Sequence, residues 1–180
     1  MAWTTPRTWV AGETVTDTIM NTHVRDNLAY LGTGIIRLNV NTTAVGNVGA
    51  GEDDLITYTL PAATLSVDGM GVRITAFGQT ANNANAKTVK MYFGSTNMAT
   101  IGLDANSVGG WVYQATVIRT AAATQIAHVN MAAHWVTFKS GGNNTAPTET
   151  LSGAVTIKCT GAATTTDDIV NSMLMVELIR

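Results

Sequence analysis

Charge is scarce in this sequence. Of 180 residues only 12% are Asp, Glu, Lys or Arg, 12 acidic against 10 basic, for a net charge of −2. That is about half the usual share. The balance leaves no basic patch to hold a phosphate backbone, so no nucleic-acid partner is expected. Cysteine is scarcer still: Cys159 is the single thiol, with no mate for an internal disulfide, and it reads as a small buried hydrophobe. No apolar run approaches the ~20 residues that span a bilayer, so no membrane partner is expected. The N-terminus is polar and aromatic and lacks an apolar signal segment, which points to synthesis in the cytoplasm.

The groups that carry chemistry are missing too. Three histidines, His23, His128 and His134, occur without a His-x-x-x-His or Cys-x-x-Cys spacing. His128 and His134 fall on neighbouring candidate strands and could meet, but a metal site would want a third ligand beside them. They read as structural or surface residues. Acids cluster at Glu52-Asp53-Asp54 and Asp167-Asp168; both read as solvated acids in loops, and neither has the alternating oxygen ligands of a calcium loop. The glycines at 46, 49 and 51 match neither a dinucleotide fingerprint nor a P-loop, and no nucleophile elbow is present. The expectation is a non-enzyme with no catalytic residue, no metal and no cofactor.

What remains is 46% hydrophobic residues in a matrix of Thr, Ala, Asn and Gly. That is too apolar for disorder. So little charge on so apolar a chain implies a surface that is polar but uncharged, or one covered by neighbouring subunits. After Gly34 short alternating runs succeed one another, among them Ile35–Thr43, Leu55–Leu60, Val72–Phe77, Thr88–Phe93, Met98–Leu103 and Trp111–Arg119. Further runs are Thr124–Met131, His134–Phe138, Leu151–Cys159 and Ser172–Ile179, with Gly141-Gly142-Asn143-Asn144 as a plain loop. Strand-type runs with Gly, Asn or Pro between them, and no later helix, predict antiparallel sheets. The count favours a mainly β, jelly-roll sandwich over residues 35–180. An immunoglobulin-like sandwich is the second choice, without its Cys…Trp…Cys spacing.

Ahead of it stands residues 1–34, an extended arm with Trp3, Pro6 and Trp9, then one amphipathic helix. Thr16 is the predicted N-cap and Asp17 faces the positive end of the helix dipole. Val15 and Met20 stand where a hydrophobic staple would put them. Ile19, Met20, Val24, Leu28 and Leu31 recur on one face, with Arg25, Asp26 and Asn27 mainly on the other. A single apolar stripe must be buried against something, its own β-domain or another chain. The two tryptophans face the same choice.

The arm's pattern is Trp9, Val10, Gly12, Glu13 and Thr16, then Asn21-Thr22 and Val24-Arg25-Asp26-Asn27-Leu28. It resembles the N-terminal segment of many tailed-bacteriophage virion proteins, of tail-fibre, head-fibre or other minor structural type. A looser pattern, Leu60-Pro61-Ala62, Asp68-Gly69, Gly71 to Ile74, Asn82, Lys87 and Phe93-Gly94, resembles a β-module of phage decoration and fibre proteins, several of them trimeric jelly rolls. These resemblances imply a place in a virion, partners among capsid or tail proteins, and a homotrimer. In that reading Trp3, Trp9, Ile19, Met20, Val24 and Leu28 are the docking anchors of a capsid decoration or head-fibre protein. The alternative is a tail-fibre or tail-tip component with receptor or carbohydrate binding, for which Trp111, Tyr113 and Trp135 are the candidate stacking platform.

Overall fold

The alternating runs form two antiparallel sheets packed face to face. A computed structural model describes residues 4–5, 7–31, 35–103, 105, 109–134 and 138–180. Its strands are β1 (Ile36–Asn41), β2 (Val45–Gly46), β3 (Gly51–Leu60), β4 (Gly71–Thr80), β5 (Lys87–Phe93), β6 (Thr96–Leu103), β7 (Gly110–Ala121), β8 (Thr124–His134), β9 (Phe138–Thr145), β10 (Val155–Ala163) and β11 (Ile169–Ile179). The large sheet runs β1-β11-β4-β7-β8-β9, with β2 on β11; the small sheet runs β3-β10-β5-β6.

That order has a simple origin. β1 pairs with β11, β3 with β10, β4 with β7 and β5 with β6, the four rungs of one long antiparallel hairpin. Rolling the hairpin up creates β11·β4 and β10·β5 and divides the rungs between two sheets. This is jelly-roll topology. Here β8 and β9 are inserted as a meander, extending the large sheet before the chain crosses to β10.

Inward residues fill the space between the sheets. In β5, Val89, Met91 and Phe93 alternate with half-buried neighbours; Ile74 and Ala76 of β4, Ile157 of β10 and Val176 of β11 meet them in one core. Cys159 lies in that core as a free thiol, and burial pushes its pKa up to about 12. Tyr113 is wholly buried on β7, and its hydroxyl donates across the core to the Val89 carbonyl at 2.7 Å. Removing that hydroxyl as Tyr113→Phe deletes a buried hydrogen bond between the two sheets. We expect a loss of about 1–2 kcal/mol in denaturant unfolding; an unchanged midpoint would show that the link carries no weight.

Four expectations are corrected. Residues 134 and 138 belong to different strands, β8 and β9, so His134–Phe138 is no strand of its own. Gly141 to Asn144 form part of β9 rather than a loop. They pair with β8, and Asn143 also donates its amide to the Met98 carbonyl of β6 at 2.6 Å, joining the two sheets at that edge. Glu52, Asp53 and Asp54 lie in β3, which is ten residues long. Asp168 is in a loop as predicted, but only 1% exposed. It belongs to a cluster with Asn83, Asn85 and Lys87 that ties the 81–87 and 164–168 turns together.

Candidate functional site

The N-terminal helix begins where the sequence places it. Thr16 Oγ1 accepts from the Ile19 amide at 3.3 Å, and Asp17 stands in the first turn. The helix is not uniform, however. After α1 (Asp17–Met20) comes a wide π-helical turn, Asn21–Arg25, in which the Asp26 amide bonds to the Asn21 carbonyl, and then α2 (Asp26–Leu31). A π-turn holds one residue more than an α-turn, which rotates the residues after it by about 100°.

This rotation splits the predicted stripe. Ile19 and Val24 are half-buried, whereas Met20 is 45% and Leu28 63% exposed. Asn27, assigned to the polar side, turns inward and is buried. Asn27 Oδ1 accepts from the Thr4 amide at 3.0 Å, while Nδ2 donates to the Thr4 carbonyl at 2.9 Å and the His23 carbonyl at 3.3 Å. The arm is thereby pinned along the helix. Arg7 pairs with Glu13, and the Glu13 amide bonds to the Val10 carbonyl at 3.1 Å across a turn with Gly12 at φ +78°. The Arg7 guanidinium lies over the Trp9 ring, 5.3 Å from its centroid. Even so, Trp9 is 48% and Val10 67% exposed. Polar contacts thus shape the arm while its large apolar groups Trp9 and Val10 stay exposed. Trp3 lies outside the described residues.

Asn27 and the Arg7–Glu13 pair are the residues that sequence reasoning missed. A polar residue one position from Leu28, on a helix needing a polar clamp for its leader, was the available signal.

Two of the three candidate stacking residues are shut inside the sandwich. Trp111 is 2% and Tyr113 0% exposed, their rings edge-to-face at 6.0 Å within the core, so no sugar reaches either face. Trp135 lies outside the described residues. His128 and His134 share β8 six positions apart, so they do not face each other across neighbouring strands. His128 instead sits between Asn144 Oδ1 at 2.6 Å and Asn130 Oδ1 at 3.0 Å.

A second cluster lies on the outer face of the small sheet. Glu52 accepts from Lys90, from Thr160 Oγ1 at 2.7 Å and from Tyr92 Oη at 3.0 Å. Lys90 beside it, with Thr160, holds the Glu52 carboxyl below its ordinary value. Lys158 pairs with Asp54 at 2.6 Å and stands 5.5 Å from the centre of the Tyr92 ring. Each of these four charges has an opposite partner, which marks a face made for water.

No protein-family model and no curated protein sequence matches the chain. Among solved structures it is similar to the CBM2 module of the evolved Dit of Lactobacillus casei BL23 phage J-1. That likeness is 8% identity and a TM-score of 0.42, over 82% of this chain and 97% of the other. At that distance function must be read from the chain's own residues.

Proposed function

We propose that this is a non-enzymatic structural protein of a tailed-bacteriophage virion, a multimeric capsid decoration or head-fibre protein that docks on another virion protein through its N-terminal arm and helix. The observation that carries the reading is the uncovered apolar set Trp9, Val10, Met20 and Leu28, on a segment whose shape is fixed by Asn27. Large apolar side chains on a preshaped segment are what an interface uses as anchors, since little ordering entropy is lost on docking. The arm's resemblance to phage virion proteins supplies the kind of partner.

The docking role is tested with two variants. Described core residues begin at Ile36 and Leu38 and run through Leu178, so a chain starting at residue 35 retains its core. It is expected to fold and to be left out of particles. In the full chain, Trp9→Ala with Leu28→Ala is expected to weaken incorporation by about thirtyfold or more. Full incorporation of either variant would end the docking role. Copy number per particle then separates the head, with many copies, from the tail, with few.

A further inference from the structure

The two outer faces of the sandwich differ in chemistry. The small sheet's face carries the Glu52–Lys90 and Asp54–Lys158 pairs among threonines. On the large sheet the cross-strand registers align Val40, Met175, Thr75, Gln114, Asn130 and Gly142 across six strands. The row beside it brings Met173, Phe77, Val112 and Ala132 together, and Ile118 and Ile126 pair nearer the other end. Phe77 is 44%, Val40 47% and Ile126 56% exposed. Three open depressions of about 330, 360 and 370 Å³ line β7 and β8 over Phe77, Gln114 and Ile126 respectively. Charge on this face is confined, among the described residues, to one row of Arg37, Glu177 and Arg73, in which Arg73 and Glu177 stand 4.0 Å apart.

We infer that the outer face of the large sheet is the surface on which a second copy of this chain packs. The inference deepens the multimer part of the proposed function and is independent of the arm's role. Its area is right: six strands about 4.8 Å apart, each lending some eight residues at about 3.4 Å, present roughly 800 Å², which is what one partner contributes to a stable interface. Its chemistry is right for a like surface: nearly charge-free, it offers nothing to select a charged partner, and apolar and amide groups complement their own kind. Closed symmetric contacts between identical subunits are the common form of such assembly. A chain with 12% charged residues that places its described ion pairs largely elsewhere has left this face to protein.

The test is the mass of the full-length chain in solution, by light scattering and sedimentation. Wild type is expected to be an oligomer. Ile126→Lys and Val112→Lys are each expected to weaken association by about a hundredfold with an unchanged circular dichroism spectrum. Thr100→Lys, on the small sheet's outer face, is the control and should leave the mass unaltered. Should a lysine variant fail to fold, Ile126→Thr keeps the β-branched shape and should give the same shift in smaller measure. A monomeric wild type overturns the inference, as does an oligomer indifferent to all three substitutions on β7 and β8. An oligomer dispersed only by Trp9→Ala with Leu28→Ala also overturns it and assigns self-association to the arm. Monomers of Ile126→Lys that still enter particles uphold it and leave docking intact.

Discussion

Gly78→Ala is expected to destabilise the fold by about 3 kcal/mol or more, lowering the melting temperature by roughly 6–12 °C for a chain of this size. Gly78 lies in β4 between Asn171 of β11 and Trp111 of β7. A Cβ there would stand 1.9 Å from the Val170 carbonyl oxygen and 2.6 and 2.8 Å from two indole carbons of Trp111. The oxygen belongs to a strand held on both flanks, and the indole is shut in the core at 2% exposure. Neither can give way as a flexible side chain would. Relief requires moving β11 or turning Trp111, whose Nε1 already has no acceptor among the described residues. Gly102, a strand residue with nothing within 4 Å of its would-be Cβ, is the control; Gly102→Ala should change stability little. Thermal melts read by far-ultraviolet circular dichroism, with tryptophan fluorescence for Trp111, decide it. A Gly78→Ala protein melting within 2–3 °C of wild type, about 1 kcal/mol, would mean that the close fit is not binding.

The parts of this architecture that were legible in the sequence are those with a local cause. Val89, Met91 and Phe93 alternate because β5 has one face on the core, and alternation is visible in the residues themselves. Thr16 shows as a cap because a helix start is a local event. What was not legible depends on partners distant along the chain. Gly141-Gly142-Asn143-Asn144 carries every mark of a turn, yet β8 on one side and Met98 on the other draw it into the sheet. The docking stripe was read with a constant helical period, and one wide turn at Asn21–Arg25 moved Asn27 in and Leu28 out. Trp111 falls within a strand pattern and so read more readily as core than as platform, but a strand pattern does not by itself say which face lies inside. The charge-poor outer face of the large sheet was foreshadowed only as a scarcity of charge. Its position needed the register of six strands.

Asp168 looked like a solvated loop acid for the same cause, since its partners lie some eighty residues away, and losing it should be costly. Its oxygens accept from the Asn83 and Asn85 side-chain amides, the latter at 2.8 Å, and from the backbone amide of Thr165 at 2.8 Å. On the other side of the same two asparagines lies Lys87, 2% exposed, whose ammonium donates to Asn83 Oδ1 at 2.7 Å and to the Asn85 carbonyl at 3.0 Å. Two asparagines therefore relay charge between a buried cation and a buried anion. Burial alone would push the Asp168 carboxyl up, but the donors from Asn83, Thr165 and Asn85 outweigh it and hold the pKa well below the ordinary carboxylate value. Asp168→Ala leaves those donors and Lys87 without their counterpart, and should cost about 3–5 kcal/mol at neutral pH. Asp168→Asn, similar in shape but a donor where an acceptor is needed, should lose most of that. The sign of the pH dependence comes from the depressed pKa. The carboxylate's contribution is fully present above the unfolded value of about 3.9 and is lost, at about 1.4 kcal/mol per unit, as pH falls from there toward the folded value. Denaturant unfolding at pH 7, 4 and 2.5 should thus show wild type and Asp168→Asn converging as acid is added. Curves that stay parallel through that range would mean that the ionised carboxylate does not hold these turns together.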